Sequence, residues 1–203
     1  MRTLSLHDAV SPPTELVSLT VEQYHRMLAT GVLDDGEPIE LLDGVLVPKD
    51  RGDGVTMNPQ HRLAVSRLMS LGPRVEALGG HLQLQSPLTL EPLQEPEPDG
   101  MLVHGRPERY VDRHPGAADV GCVIEVSSSS LERDRTTKQR IYAQAGIAQY
   151  VIVNLVDRRV EVYEEPKPDA GHYGVARLAG GEESVRLRLG RAGVDVRASD
   201  LLD

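Results

Sequence analysis

Two carboxylates on strand-like segments and a lysine on the helix behind them form the smallest set that can hold a hard divalent cation and activate a water. Glu125 stands inside Val120-Gly121-Cys122-Val123-Ile124-Glu125-Val126-Ser127. In such an apolar run an ionised carboxylate is costly unless a metal or a lysine offsets its desolvation. Asp99, after Glu97-Pro98, opens a second apolar stretch, Gly100-Met101-Leu102-Val103. Lys138 lies in a helical segment that leads into Tyr150-Val151-Ile152-Val153-Asn154. Carboxylates at the mouths of two strands can stand about 4–5 Å apart around one Mg²⁺ or Mn²⁺, which takes oxygen ligands and keeps several waters. A metal so held polarises a phosphoryl oxygen and lowers the pKa of a bound water. The pattern points to metal-dependent hydrolysis, first of all of phosphodiesters.

Each of these residues also has a plainer reading. Asp99 after Pro98 is a good turn residue, and Glu125 can pair with an arginine. Asp134 precedes Lys138 by four positions, the spacing of an ordinary surface ion pair on a helix. Ser127 shares a strand face with Glu125, because side chains alternate. No Gly-x-Ser-x-Gly surrounds the run Ser127 to Ser130, so these serines cap the coming helix or touch a substrate phosphate. Arg133, Arg135, Lys138 and Arg140 outnumber Glu132 and Asp134 on that helix. Substrate phosphates beside it, with Arg135 among their contacts, explain that excess; a helix that balances neighbouring acids explains it too. His61, His104 and His114 have no zinc spacing, and neither a P-loop nor a dinucleotide glycine pattern occurs.

The elements that must position these groups are legible in the periodicity. Residues 1–18, broken by Ser11-Pro12-Pro13, read as a flexible N-terminal arm, and 19–203 as a single domain. Thr20 is an N-cap for a short helix that ends near Gly31, with Val21, Tyr24 and Leu28 on one face. Ile39 to Val47 reads as a hairpin that turns at Asp43-Gly44, and 50–57 as a polar loop. His61 to Leu78 has helical spacing, with Pro73 marking a kink or an earlier boundary and Gly79-Gly80 the stop. Leu82, Leu84, Leu88 and Leu90 alternate as a strand would; 104–118 is a polar connection; 120–127 is the core strand. A helix over about 133–145, with Ile141 and Ala145 on one face, ends at Gly146. Strands 149–154 and 159–164 form a hairpin around Asp157-Arg158, and 172–203 holds short strands and a last turn at Ala198 to Leu202. This is an α/β pattern leaning towards α+β: a central mixed β-sheet flanked by helices, with extra β-hairpins.

Composition narrows the classes. Lys and Arg total 22 against 31 Asp and Glu, a formal charge of −9, which argues against a protein that coats nucleic acid by bulk charge. It leaves a nuclease open, because a carboxylate site is itself acidic and a local basic face can still reach phosphates. A single cysteine permits no internal disulfide, and no apolar run is long enough to span a bilayer, so a cytoplasmic protein without membrane contact is expected. Phe and Trp are absent and Tyr numbers six, so the core falls to Leu, Val, Ile and Ala, and stacking on unpaired bases is poorly supplied.

In order along the chain, Ile39-Glu40-Leu41-Leu42-Asp43-Gly44, Pro98-Asp99, Ile124-Glu125-Val126-Ser127, Lys138 to Tyr142, Ala145-Gly146 and Tyr150-Val151-Ile152-Val153 resemble one known set of motifs. They resemble the Uma-type family of bacterial proteins classed as endonucleases, within the restriction-endonuclease-like, PD-(D/E)xK superfamily. The resemblance covers roughly residues 19–164. It implies a restriction-endonuclease-like fold and a Mg²⁺-dependent (or Mn²⁺-dependent) phosphodiesterase acting on DNA, with a homodimer where both strands are cut. By carry-over, Asp99, Glu125 and the backbone carbonyl of Val126 would hold the metal, and Glu40 would be the upstream acid of the site. The superfamily's Glu-x-Lys would put a lysine at 127, where this chain has Ser127; the resemblance assigns the missing ammonium to Lys138. Three readings follow: a DNA endonuclease, an enzyme on RNA or another phosphodiester, and a non-catalytic module that keeps the fold to bind nucleic acid or protein.

Overall fold

Most of the apolar runs read as strands pair into a six-stranded sheet and two separate hairpins in the computed structural model of the chain, which describes residues 17–34, 36–49 and 58–202. The expected arm lies outside the described residues except for Val17 and Ser18, and the polar loop 50–57 lies wholly outside them. Helix α1 (Val21–Ala29) starts with a complete capping box: the Thr20 hydroxyl accepts from the Gln23 amide, and the Gln23 side chain accepts from the Thr20 amide. Strands β1 (Ile39–Leu42) and β2 (Val45–Pro48) form the expected hairpin. Asp43 and Gly44 take φ of 54° and 71°, the pair of positive values that a two-residue type I′ turn needs.

The helix expected over 61–78 is two helices, α2 (Pro59–Met69) and α3 (Gly72–Glu76). Pro73 sits in the first turn of α3, the one place in a helix where its missing N–H costs nothing. Strand β3 (Gly80–Leu84) ends before Leu88 and Leu90, which do not extend it. Pro87 and Pro92 bracket these two leucines and cannot donate to a ladder, so both are buried from a looping connection instead. Strands β4 (Gly100–His104) and β5 (Val120–Ser127) follow. The next helical segment is longer than expected and irregular: α4 (Leu131–Arg133), a π-helical turn over Asp134–Lys138, and α5 (Gln139–Gln144).

Strands β6 (Gln149–Asn154), β7 (Arg159–Lys167) and β8 (His172–Ala179) complete a six-stranded sheet in the order β3-β4-β5-β6-β7-β8. Only the β5–β6 pair is parallel, because the segment from α4 to α5 carries the chain back between them. A separate hairpin, β9 (Ser184–Leu189) with β10 (Ala192–Arg197), and helix α6 (Ala198–Leu202) join α2 and α3 on one face of the sheet. Leu102, Ile124, Val126, Val151 and Val153 point to that face. Met101, Val123, Tyr150 and Ile152 point to the other, against Ile141 and Tyr142 of α5. Every residue of β5 is buried, which is why its sequence reads as a continuous apolar run. Alternation along β5 sends Glu125 and Ser127 to the α5 side, so an acid and a serine enter a face built to be apolar.

Candidate functional site

Strand pairing brings the two central carboxylates together. Gly100 of β4 pairs with Ile124 of β5, so one residue further along Asp99 stands opposite Glu125. Directly opposed residues have β-carbons about 4.5–5.5 Å apart. Asp99 Oδ2 accepts the Val126 amide at 2.8 Å, and Oδ1 lies 2.9 Å from His61 Nε2 in the first turn of α2. Glu125 Oε1 accepts from Lys138 Nζ at 2.9 Å and from the Tyr142 hydroxyl at 2.8 Å. Lys138 Nζ also lies 3.1 Å from Glu40 Oε2, which accepts the Glu97 amide at 3.1 Å. Glu40, Asp99, Glu125 and Lys138, far apart in sequence, therefore meet at one end of the sheet.

Lys138 reaches this point through the π turn. A π turn widens the helix by one residue per turn and is a frequent feature of functional sites. Asp134, the first residue of that turn, is not the surface partner that its spacing suggested. It is buried and accepts from the hydroxyls of Ser127 at 2.7 Å and Ser130 at 2.6 Å, while its carbonyl accepts from Tyr150 at 3.1 Å. With Asp134 so occupied, Lys138 turns to Glu125 and Glu40 and is 5% exposed. Arg133 donates to the Pro48 carbonyl and Arg140 pairs with Asp43, which ties the helical segment to the β1–β2 hairpin that carries Glu40.

The four groups open onto a cleft of about 240 Å³, also lined by Lys49, His61 and Asp134. Its electrostatics follow from burial. Burial pushes the Glu125 carboxyl up, the Lys138 ammonium pulls it down, and the Asp134, Asp99 and Glu40 acids push it up again, leaving it above its ordinary value. Burial alone would lower Lys138, but Glu125, Glu40 and Asp134 outweigh that and hold its pKa above the usual lysine range. Burial likewise raises Asp134 against the pull of Lys138. The lysine is thus a fixed cation among acids that are crowded and short of solvent.

Among the described residues no group of three or more His, Cys, Asp or Glu side chains is arranged to hold a metal ion. Asp99 and Glu125 do face the same cleft beside Val126, and their donors are all oxygens. Such a set does not make a closed zinc cage, but it fits Mg²⁺ or Mn²⁺, which bind through one or two carboxylates and retain waters.

Other expected contacts lie elsewhere. Ser127 is fully buried and spends its hydroxyl on Asp134, so it faces the helix and not the cleft. Arg135 points away from the cleft and pairs with Glu161 and Asp157 on β7 and the turn before it. That pairing gives the buried Glu161 the cation it needs. Glu40 is 2% exposed and so is a buried member of this cluster. Sequence reasoning missed His61, Asp134 and Tyr142 as site residues. His61 has no metal-ligand spacing to mark it, and nothing in the sequence shows a π turn.

The chain is similar to known proteins in sequence and in fold. Residues 21–197 match the family model Uma2, described as "Putative restriction endonuclease". No curated protein gives a significant match. A crystal structure from Anabaena variabilis, described as "a putative nuclease belonging to DUF820", superposes with a TM-score of 0.66. It is 16% identical, and the alignment covers 90% of this chain and 97% of the other. At that identity the likeness bears on the fold, a mixed sheet flanked by helices.

Proposed function

Because the chain belongs to the Uma2 family, we propose that it is a Mg²⁺-dependent endonuclease that hydrolyses phosphodiester bonds in DNA. The observation that carries the reading is the position of Lys138. The strand slot expected to hold a lysine holds Ser127, yet an ammonium sits 2.9 Å from Glu125 Oε1 all the same, delivered from the helix. The contact offsets the burial of Glu125, and because both groups line the same cleft it also sets the ammonium beside the acids that would hold a cation.

Asp99, Glu125 and the Val126 carbonyl would hold the cation, which supplies a polarised phosphoryl oxygen and a water of lowered pKa. Lys138 remains protonated, because three acids surround it. It therefore serves as a donor and a fixed positive charge, and not as a base. Its ammonium orients the attacking water and offsets the negative charge that grows on the phosphate during attack. Glu40 shares Lys138 with Glu125 and keeps the ammonium from folding back onto one carboxylate alone. Tyr142, four residues further along the same helical segment, donates to the same Oε1 and helps to hold the orientation of the carboxylate.

The test is nicking of supercoiled plasmid with Mg²⁺ against EDTA, for the wild type and for Asp99→Ala and Glu125→Ala. Mg²⁺-dependent nicking by the wild type, lost in both variants with the circular dichroism spectrum unchanged, is the expected result. Wild-type levels of nicking in either variant would remove that residue from the site. No nicking by the wild type on DNA or RNA would favour the non-catalytic binding module.

A further inference from the structure

We infer that His61 is a positioning residue of this site: its ring holds the Asp99 carboxylate in the orientation that a divalent cation requires. The inference rests on the metal reading given above and adds a residue to it. His61 belongs to no sequence motif of the site and enters from a different layer, the first turn of α2.

The two oxygens of Asp99 have different partners. Oδ2 accepts the Val126 amide at 2.8 Å and Oδ1 faces His61 Nε2 at 2.9 Å. An ionised carboxylate can only accept, so Nε2 carries the proton in this contact and the tautomer is fixed. Each oxygen thus takes one donor from the protein and keeps a lone pair for the cleft. One donor is backbone and cannot be lost by mutation; the other is the His61 ring. The Asp99 side chain is 14% exposed and that of His61 11%, so water has limited room to replace the ring. Val126, whose amide holds Oδ2, is also the residue whose carbonyl would be a ligand, so the His61 contact braces Asp99 against the part of β5 that completes the site.

Hydrogen-bond partners behind metal ligands typically contribute 10–100-fold to metal affinity, because they fix ligand orientation before binding. His61→Ala removes the donor. His61→Gln keeps an amide N–H close to the position of Nε2. Isothermal calorimetry of full-length protein with Mn²⁺ should show about 10–100-fold weaker binding for His61→Ala. His61→Gln should bind within about threefold of the wild type, as expected if the donor and not the ring is what matters. Plasmid nicking by His61→Ala should recover at high Mn²⁺, a shift in metal requirement that loss of fold would not produce.

Wild-type Mn²⁺ affinity in His61→Ala would overturn the inference. So would His61→Gln binding as weakly as His61→Ala. If His61→Ala does not fold, His61→Gln decides alone: near-wild-type affinity upholds the role and loss of binding refutes it. A wild type that takes up no Mn²⁺ would overturn the metal reading itself and this inference with it, and that result is distinct from wild-type binding left unchanged by the substitution.

Discussion

Replacing Lys138 with methionine separates chemistry from architecture at this site. The variant keeps most of the apolar stem and removes the ammonium that lies 2.9 Å from Glu125 and 3.1 Å from Glu40. Removing one preorganised donor to developing charge typically lowers a rate about 10²–10³-fold, or about 3–4 kcal/mol of barrier. Breaking a buried ion pair on one side costs about 3–5 kcal/mol of stability in general. Here the cost falls near the lower end, because Glu125 is already pushed up by burial and takes a proton once the ammonium is gone. At a pH high enough to keep Glu125 ionised, affinity for a divalent cation should hold or rise, since a positive charge has left the neighbourhood of two acids. Initial nicking rates at saturating Mg²⁺, calorimetry with Mn²⁺ and a urea melt read the three quantities on the same preparation. A rate within about threefold of the wild type, well short of the loss expected for a missing donor, would refute the role given to Lys138. Loss of cutting together with loss of metal binding would make it a structural counter-ion only.

Other substitutions test neighbouring parts of the account. In the Lys138→Met background, Ser127→Lys places an ammonium on the same strand face as Glu125 and should recover about tenfold of the lost rate, a fraction of one donor's contribution; no recovery would mean that the strand slot is closed in this chain. Burial raises the Glu161 carboxyl, but hydrogen bonds from Arg135, Asn154 and Tyr163 outweigh that and bring it to about 2 from an ordinary 4.5. Its contribution, roughly 2–3 kcal/mol, is therefore complete above about pH 4.5 and is lost as the pH falls towards 2, so Glu161→Gln should flatten the acid limb of a stability–pH curve. Arg135→Ala should lower the melting temperature and leave DNA affinity unchanged in a filter-binding assay. At Gly121 a β-carbon would stand 2.6 Å from the Arg188 carbonyl oxygen and 2.8 Å from the Leu189 α-carbon, so Gly121→Ala should cost about 1–3 kcal/mol by forcing the β9–β10 hairpin off the sheet.

Much of this fold was legible because local physics and tertiary packing agree. Thr20 with Gln23, Asp43-Gly44 and the unbroken apolar run of β5 each specify an element without help from elsewhere. The misreadings have local causes. Leu88 and Leu90 alternate as a strand would, but their amides bond back to Pro96 and Gln94 of the same connection, so they do not extend β3. Asp134 and Lys138 have the spacing of an exposed α-helical pair, and a π turn, which leaves no mark in hydrophobic periodicity, turns both inward. Asp99 and Glu125 could be read as a pair because acids inside apolar strands are conspicuous. His61 could not, because its contact with Asp99 is set by how α2 crosses the sheet.

The most direct test of the central claim is the position of Mn²⁺ in an anomalous-difference map from a crystal of the protein soaked in that ion. One peak is expected in the cleft, with Asp99, Glu125 and the Val126 carbonyl as its protein ligands and Lys138 Nζ beside a water on it. A peak held by other residues, or no peak in a well-diffracting soaked crystal, would contradict it.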